Sequence, residues 1–186
     1  MSETMKTILG RRSVRKFLPE QIAETELETI LQAGRYAPSG MNGQPWHFSV
    51  VQNPALLSKI NEATRTMMMK SGIPAMKERA QAPGFCVYYQ APTLIVVSGD
   101  PRSITYQFDC TLALGTMFLA AESLEIGSCW IYGAAAALAA EENRGLAREL
   151  AVPEGFVVQV CGAFGYPDGR SQPAAPRREG TVSYLR

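Results

Sequence analysis

Arg11-Arg12-Ser13-Val14-Arg15-Lys16 packs four basic residues and one hydroxyl into six positions, directly after Gly10. Guanidinium forks bind phosphate oxygens bidentately, and the Ser13 hydroxyl adds a donor, so the run suits a phosphate group. A second loop-like run follows at Ala37-Pro38-Ser39-Gly40-Met41-Asn42-Gly43-Gln44-Pro45-Trp46. Its Asn42 and Gln44, on a chain punctuated by Gly and Pro, can read the amide-like edge of a heterocycle. Between the runs lies an amphipathic helix in which Leu27, Ile30, Leu31 and Gly34 fall on one face. Thr25-Glu26-Leu27-Glu28 reads as its capping box. Together the loops suit a phosphorylated planar cofactor.

Outward from this pair, Glu3 to Leu9 reads as a short helix stopped by Gly10 in the left-handed position. Phe17 and Leu18 read as strand residues, and His47 to Val51 as a strand. Asn53-Pro54 supplies a cap and a first-turn proline for a helix reaching about Lys70. Residues 71–92 are irregular around a short helix at Ala75 to Gln81. In that segment Phe85, Tyr88 and Tyr89 form either a lid over a planar ligand or a satellite core. The cluster Met67-Met68-Met69 reads as flexible core packing, with substrate contact as its alternative. Thr93 to Ser98 and Phe156 to Gly162 are compact buried strands. A helix from about Ile104 to Leu124 is apolar over most of its circumference, which favours enclosure at a subunit interface. Ala140 to Leu150 reads as another helix and Thr181 to Leu185 as a strand-like end. The proline-rich stretch before that end should drape over something, such as a neighbouring subunit.

The 186 residues fit a single domain spanning 1–186, with 46% apolar content sufficient for a core. Charge is segregated beneath a net +1: residues 1–16 hold five Lys/Arg against one acid, and residues 170–186 four Arg against one acid. Either these are solvated tails or both ends converge on one anion. Without a basic stripe interleaved with aromatics, nucleic acid is not an expected partner. No apolar run approaches a membrane span and Met1 to Met5 carries no signal-peptide pattern, so a cytoplasmic location is expected. Cys86, Cys110, Cys129 and Cys161 read as reduced core residues, with no metal site expected. The sequence contains no Walker A loop, zinc-protease helix, nucleophile elbow or Gly-rich dinucleotide loop. His47, the only histidine, reads as a structural strand residue. With no side-chain triad or acid pair, a cofactor is expected to carry the difficult step.

Arg11-Arg12-Ser13-Val14-Arg15, then Ala37 to Trp46, Gly127-Ser128-Cys129-Trp130-Ile131, Gly165-Tyr166-Pro167 and the pair Arg177-Arg178 resemble, in order and spacing, the FMN-dependent nitroreductase family. The resemblance implies an α+β fold, a mixed β-sheet flanked by helices, in an intertwined homodimer with FMN at the subunit interface. It implies that Arg11, Arg12 and Ser13 contact the phosphate and ribityl chain, and that Arg15 approaches the pyrimidine edge of the flavin. Pro38, Ser39 and Asn42 match a loop contributed by the other subunit, where Gln44 either joins them or braces their backbone. Trp130, Ile131, Tyr132 and Gly133 match the stretch along the flavin ring, where a backbone N–H commonly faces N5. Arg177 or Arg178 matches a late basic residue on the phosphate. The Asn that many relatives place past the first long helix has no counterpart in Met67 to Ser71.

The activity this implies is a ping-pong oxidoreductase. NADH or NADPH gives hydride to flavin N5, and the electrons then pass to a nitroaromatic, a quinone or a similar electron-poor acceptor. The alternatives are another flavin reaction on the same scaffold, such as reductive dehalogenation or enone reduction, and a non-catalytic flavin-binding protein.

Overall fold

The computed structural model describes residues 1–169 and 173–186. In chain order the elements are α1 (Glu3–Gly10), α2 (Glu24–Arg35), β1 (Trp46–Val51), α3 (Pro54–Lys70), α4 (Pro74–Gln81), β2 (Thr93–Gly99), α5 (Tyr106–Ser123), β3 (Gly127–Trp130), α6 (Tyr132–Ala139), α7 (Arg144–Glu149) and β4 (Val157–Gly165). The strands lie in the order β1-β2-β4-β3. All three pairings are antiparallel, and among the described residues parallel pairing occurs only at the isolated bridge between Ser13 and Ser128. Successive side chains of a strand face opposite ways, and both faces of β2 are covered. Leu94 and Val96 pack with Ile60 of α3 and Ala134 and Leu138 of α6. Ile95 and Val97 pack with Ile30 of α2 and Leu114 and Met117 of α5. The result is helices on both faces of one sheet, the α+β layering expected. No helix among the described residues is long and apolar enough to cross a membrane.

Locally encoded features stand where the sequence puts them. Asn53 accepts from the N–H groups of Ala55 and Leu56, starting α3 at Pro54. The predicted face Leu27, Ile30, Leu31 and Gly34 is buried. Cys110, Cys129 and Cys161 are buried, Cys86 is half-buried, and all four are free thiols.

Other expectations are corrected. Gly10 remains helical, and Arg11 caps α1 by donating its N–H to the Thr7 carbonyl. The start of α2 lies two residues before the predicted Thr25 cap: Ala23 is the N-cap, and Glu26 accepts its N–H at 3.0 Å. Tyr166 fixes that choice by donating its hydroxyl to the same Glu26 carboxylate at 2.6 Å, a long-range contact that local pattern does not contain. Phe17 makes one isolated bridge to Pro167 and Leu18 none, so neither extends a strand. Helix α6 has no polar face in its Ala-rich sequence and so no readable periodicity. The single helix expected over 140–150 divides into a 3₁₀ turn, Glu141–Asn143, and α7, with Asn143 donating back to the Ala137 carbonyl. Residues 181–185 form no strand and, like all of 173–186, are exposed.

Candidate functional site

Segment 11–15 runs along β3. Val14 donates its N–H to the Ser128 carbonyl at 2.9 Å, beside the Ser13–Ser128 bridge. Gly127 permits the approach, because a Cβ there would stand 2.9 Å from the Val14 side chain. Beyond the ladder, Ile131 donates to the Cys161 carbonyl at 2.8 Å, and the chain turns directly into α6. The first-turn N–H groups of an α-helix have no helical carbonyl partner, so Tyr132 and Gly133 keep donors at the positive end of α6.

Arg15, Trp130, Ile131, Tyr132 and Gly133 line one cavity of about 490 Å³, closed by Met67 and Met68 of α3, Ala75, Met76 and Arg79 of α4, and Val87 and Tyr89. No acidic residue lines it among the described residues. The volume lies in the range of small-molecule sites. The walls are chiefly aromatic and thioether groups, suited to a planar ring. A shallower recess of about 330 Å³ shares Arg15 and Tyr89 and adds Lys16 and Asp168.

Positive charge gathers here. The guanidinium of Arg15 lies 5.8 Å, and that of Arg79 5.9 Å, from the centroid of the Tyr89 ring. Arg79 also donates to the Tyr89 hydroxyl at 2.9 Å. Arg11 stands over Phe118 at 5.9 Å. Cys129 marks the meeting point: burial raises its thiol above the ordinary value, while Arg15, Arg11, Arg79 and a hydrogen bond from Ser13 pull it down. Arg12 engages the end of α1. Its Nη1 donates to the carbonyls of Leu9, Gly10 and Arg11 at 2.8, 3.0 and 2.7 Å, at the negative end of α1.

The second predicted loop lies elsewhere in the protomer. Pro38, Ser39, Asn42 and Gln44 precede β1, the edge opposite β3, three strand spacings or roughly 14 Å away. None of them lines the cavity. Ser39 Oγ accepts the Gln44 N–H at 3.1 Å, and Gln44 donates its side-chain amide to Asn42 Oδ1 at 3.2 Å. Gln44 therefore braces the loop, one of the two roles open to it. Met41, Asn42 and Gln44 all hold positive φ, of 52°, 55° and 44°. The loop is tied to α5 by Asp109, a carboxylate only 3% exposed, which accepts the Gly40 N–H at 3.2 Å and the Thr105 hydroxyl at 2.8 Å. Arg177 and Arg178 lie in the exposed C-terminal segment, where Arg177 donates to the Ala175 carbonyl, and neither lines the cavity. His47 stays on β1, opposite Ser98.

Sequence reasoning missed Arg79 and Asp109. Asp109 had a signal, as a lone acid entering a long apolar run; Arg79 had only its place in a segment read as a lid. All three aromatics of that segment, Phe85, Tyr88 and Tyr89, pack against the core, and Tyr89 also lines the cavity. The Met cluster does both: Met68 is buried and, with Met67, also forms cavity wall.

The model of the nitroreductase family matches residues 8–166. A crystal structure of a nitroreductase with bound FMN from Bacteroides fragilis superposes with a TM-score of 0.93 at 38% identity, covering 100% of each chain. A provisionally named NADH dehydrogenase/NAD(P)H nitroreductase of Archaeoglobus fulgidus is 35% identical over 173 residues, 90% of this chain and 87% of that one. An iodotyrosine deiodinase of Thermotoga neapolitana is 27% identical over 181 residues, 94% and 93% of the two chains.

Proposed function

Since the chain belongs to the nitroreductase family, we propose that it is an FMN-dependent oxidoreductase passing hydride from NAD(P)H to an electron-poor planar acceptor such as a nitroaromatic or a quinone. The observation that carries this reading is the acid-free, aromatic- and Met-walled cavity next to Arg11, Ser13 and Arg15. The residues fit the cofactor. A phosphate monoester bears roughly −1.5 to −2 charges at neutral pH and requires cations and hydroxyl donors, which Arg11 and Ser13 supply, with Arg177 or Arg178 as the late basic partner. The flavin ring requires flat apolar walls and a few donors, which Trp130, Ile131 and the N–H groups of Tyr132 and Gly133 supply.

When bound, FMN would supply the two-electron redox chemistry that links the nicotinamide donor to the acceptor. The chain's own residues position and tune. Arg15 and the positive end of α6 would put positive potential beside the ring and so would favour its reduced form. Arg12 braces the end of α1 and so the backbone on which Arg11 and Ser13 stand. No cavity side chain is required as a base; protons for the acceptor come from solvent or a hydroxyl of the cleft.

A homodimer completes the site. Pro38, Ser39 and Asn42, held outward by Asp109, reach the cavity of the second copy. The exposed α5 side chains Phe108 (69%) and Leu112 (48%) form the apolar seam, and the exposed C-terminal segment with Val182, Tyr184 and Leu185 wraps the neighbour. Residues 1–186 make one domain per subunit.

The test is the visible spectrum of the purified protein under anaerobic conditions, before and after NADH or NADPH. A flavin band bleached by either donor and restored by an acceptor is the expected result; a colourless protein, or a flavin that neither donor reduces, overturns the reading. The deiodinase relative, matched along nearly its whole length, favours reductive dehalogenation as the second reading. An acceptor panel with a nitroaromatic, a quinone and a halogenated phenol separates the two.

A further inference from the structure

Resting on the proposed flavin chemistry, we infer that Arg79 of α4 recognises an oxyanion on the acceptor, so that the cleft selects planar aromatic acceptors carrying a carboxylate or similar group. Among the described residues the cavity is lined by two guanidinium groups, Arg15 and Arg79, and by no acidic residue. Neither forms an ion pair among the described residues; both rest on the Tyr89 ring, and Arg79 spends one donor on the Tyr89 hydroxyl. A cation–π contact and one neutral hydrogen bond leave the remaining guanidinium donors of Arg79 available to a forked anion.

The two cations belong to different parts of the fold. Arg15 sits on the segment fixed to β3, with Arg11 and Ser13. Arg79 is near the end of α4, where it lines the cavity with Met67, Met68 and Met76. Flexible thioethers and the exposed faces of Trp130 and Tyr132 accommodate an aromatic ring, and Arg79 is the charge that would orient it.

Tyr89 holds Arg79 in place at a conformational cost. It has φ 57°, followed by Gln90 at 58°, two consecutive non-glycine residues in the left-handed region. Such residues are strained and persist where surrounding structure over-determines them. Here Asn61 accepts the Val87 N–H at 2.9 Å and donates to the Phe85 carbonyl at 3.3 Å, tying the preceding turn to α3. The Ala91 N–H donates to the Tyr88 carbonyl at 3.1 Å and closes the turn on the far side. The strained turn delivers the ring that both guanidinium groups share.

The experiment compares para-nitrobenzoate with para-nitrobenzamide on the FMN-loaded wild type and on Arg79→Gln and Arg79→Lys. Intrinsic differences in how easily the two compounds are reduced cancel when the anionic-to-neutral ratio of kcat/KM is compared between proteins. In Arg79→Gln the ratio should fall at least about tenfold, as for loss of a charged hydrogen bond. The fall should lie in KM for the benzoate, and Arg79→Lys should restore part of it. Calorimetric titration with benzoate and benzamide, which are not reduced, provides the binding readout: benzoate affinity should fall in Arg79→Gln while benzamide affinity holds. An unchanged ratio overturns the inference, as does a variant that loses FMN while keeping the ratio, which assigns Arg79 to the cofactor. If the protein carries no reducible flavin, the proposed function fails separately. The titrations then decide the anion site by themselves, and equal benzoate binding to wild type and Arg79→Gln rejects it.

Discussion

Single side chains divide the basic N-terminal run by what each one touches. Arg11 and Ser13 flank the Cys129 thiol, whereas Arg12 puts Nη1 on the last carbonyls of α1. Arg11→Ala should therefore raise the Kd for FMN by about tenfold or more, the scale of a lost charge-assisted bond. Arg12→Ala should raise it less, which fluorescence titration of the apoprotein measures. Equal effects would place Arg12 on the phosphate as directly as Arg11. This distinction was not legible in the sequence, where Arg11 and Arg12 are neighbours of identical chemistry; only the end of α1 separates them. Burial, with Asp109 nearby, lifts the Cys110 thiol from its ordinary value near 9 to about 12. The folded state thus keeps a proton that the unfolded chain releases first, so this group's stabilisation is complete below pH 9 and drains as pH rises toward 12. Urea midpoints should fall over that alkaline range, and less steeply in Cys110→Ala.

Elements with a local signal were readable: the Asn53-Pro54 start of α3, the apolar face of α2, and β2 as a run buried on both faces. Elements fixed by distant partners were not. Glu26 serves Ala23 and Tyr166 rather than a cap at Thr25, and α6 shows no period because alanine stands at both its buried and its exposed positions. The loop at 38–44 was legible as a donor-rich turn but its anchor was not, because Asp109 lies far along the chain. That anchor has a consequence at the scale of loop against helix. Gly40 is pressed so closely on α5 that a Cβ would meet Thr105 Oγ1 at 2.4 Å. Removing the carboxylate with Asp109→Ala leaves the Gly40 N–H and the Thr105 hydroxyl without their acceptor. FMN affinity should drop about tenfold, although Asp109 lies outside the cavity. Unchanged affinity would show that the loop holds its shape without α5.

For the molecule as a whole, one protomer divides the expected cofactor contacts between opposite sheet edges, with Arg11, Ser13 and Arg15 along β3 and Ser39 and Asn42 before β1. In the proposed homodimer a second copy would bring them together, packing on the exposed seam of Phe108 and Leu112. The all-round apolar character of α5 was visible in its residues; which stripe meets the sheet and which stays uncovered required the fold. Leu112→Glu places a charge in that seam and should yield monomers with greatly weakened FMN binding, because burying an unpaired carboxylate is costly. The most direct measurement is sedimentation velocity of the purified protein, recording flavin and protein absorbance separately. The account predicts that both move in one boundary at twice the 20.3 kDa chain mass, with one FMN per subunit. Flavin travelling with a single-chain boundary, or a dimer without flavin, would contradict it.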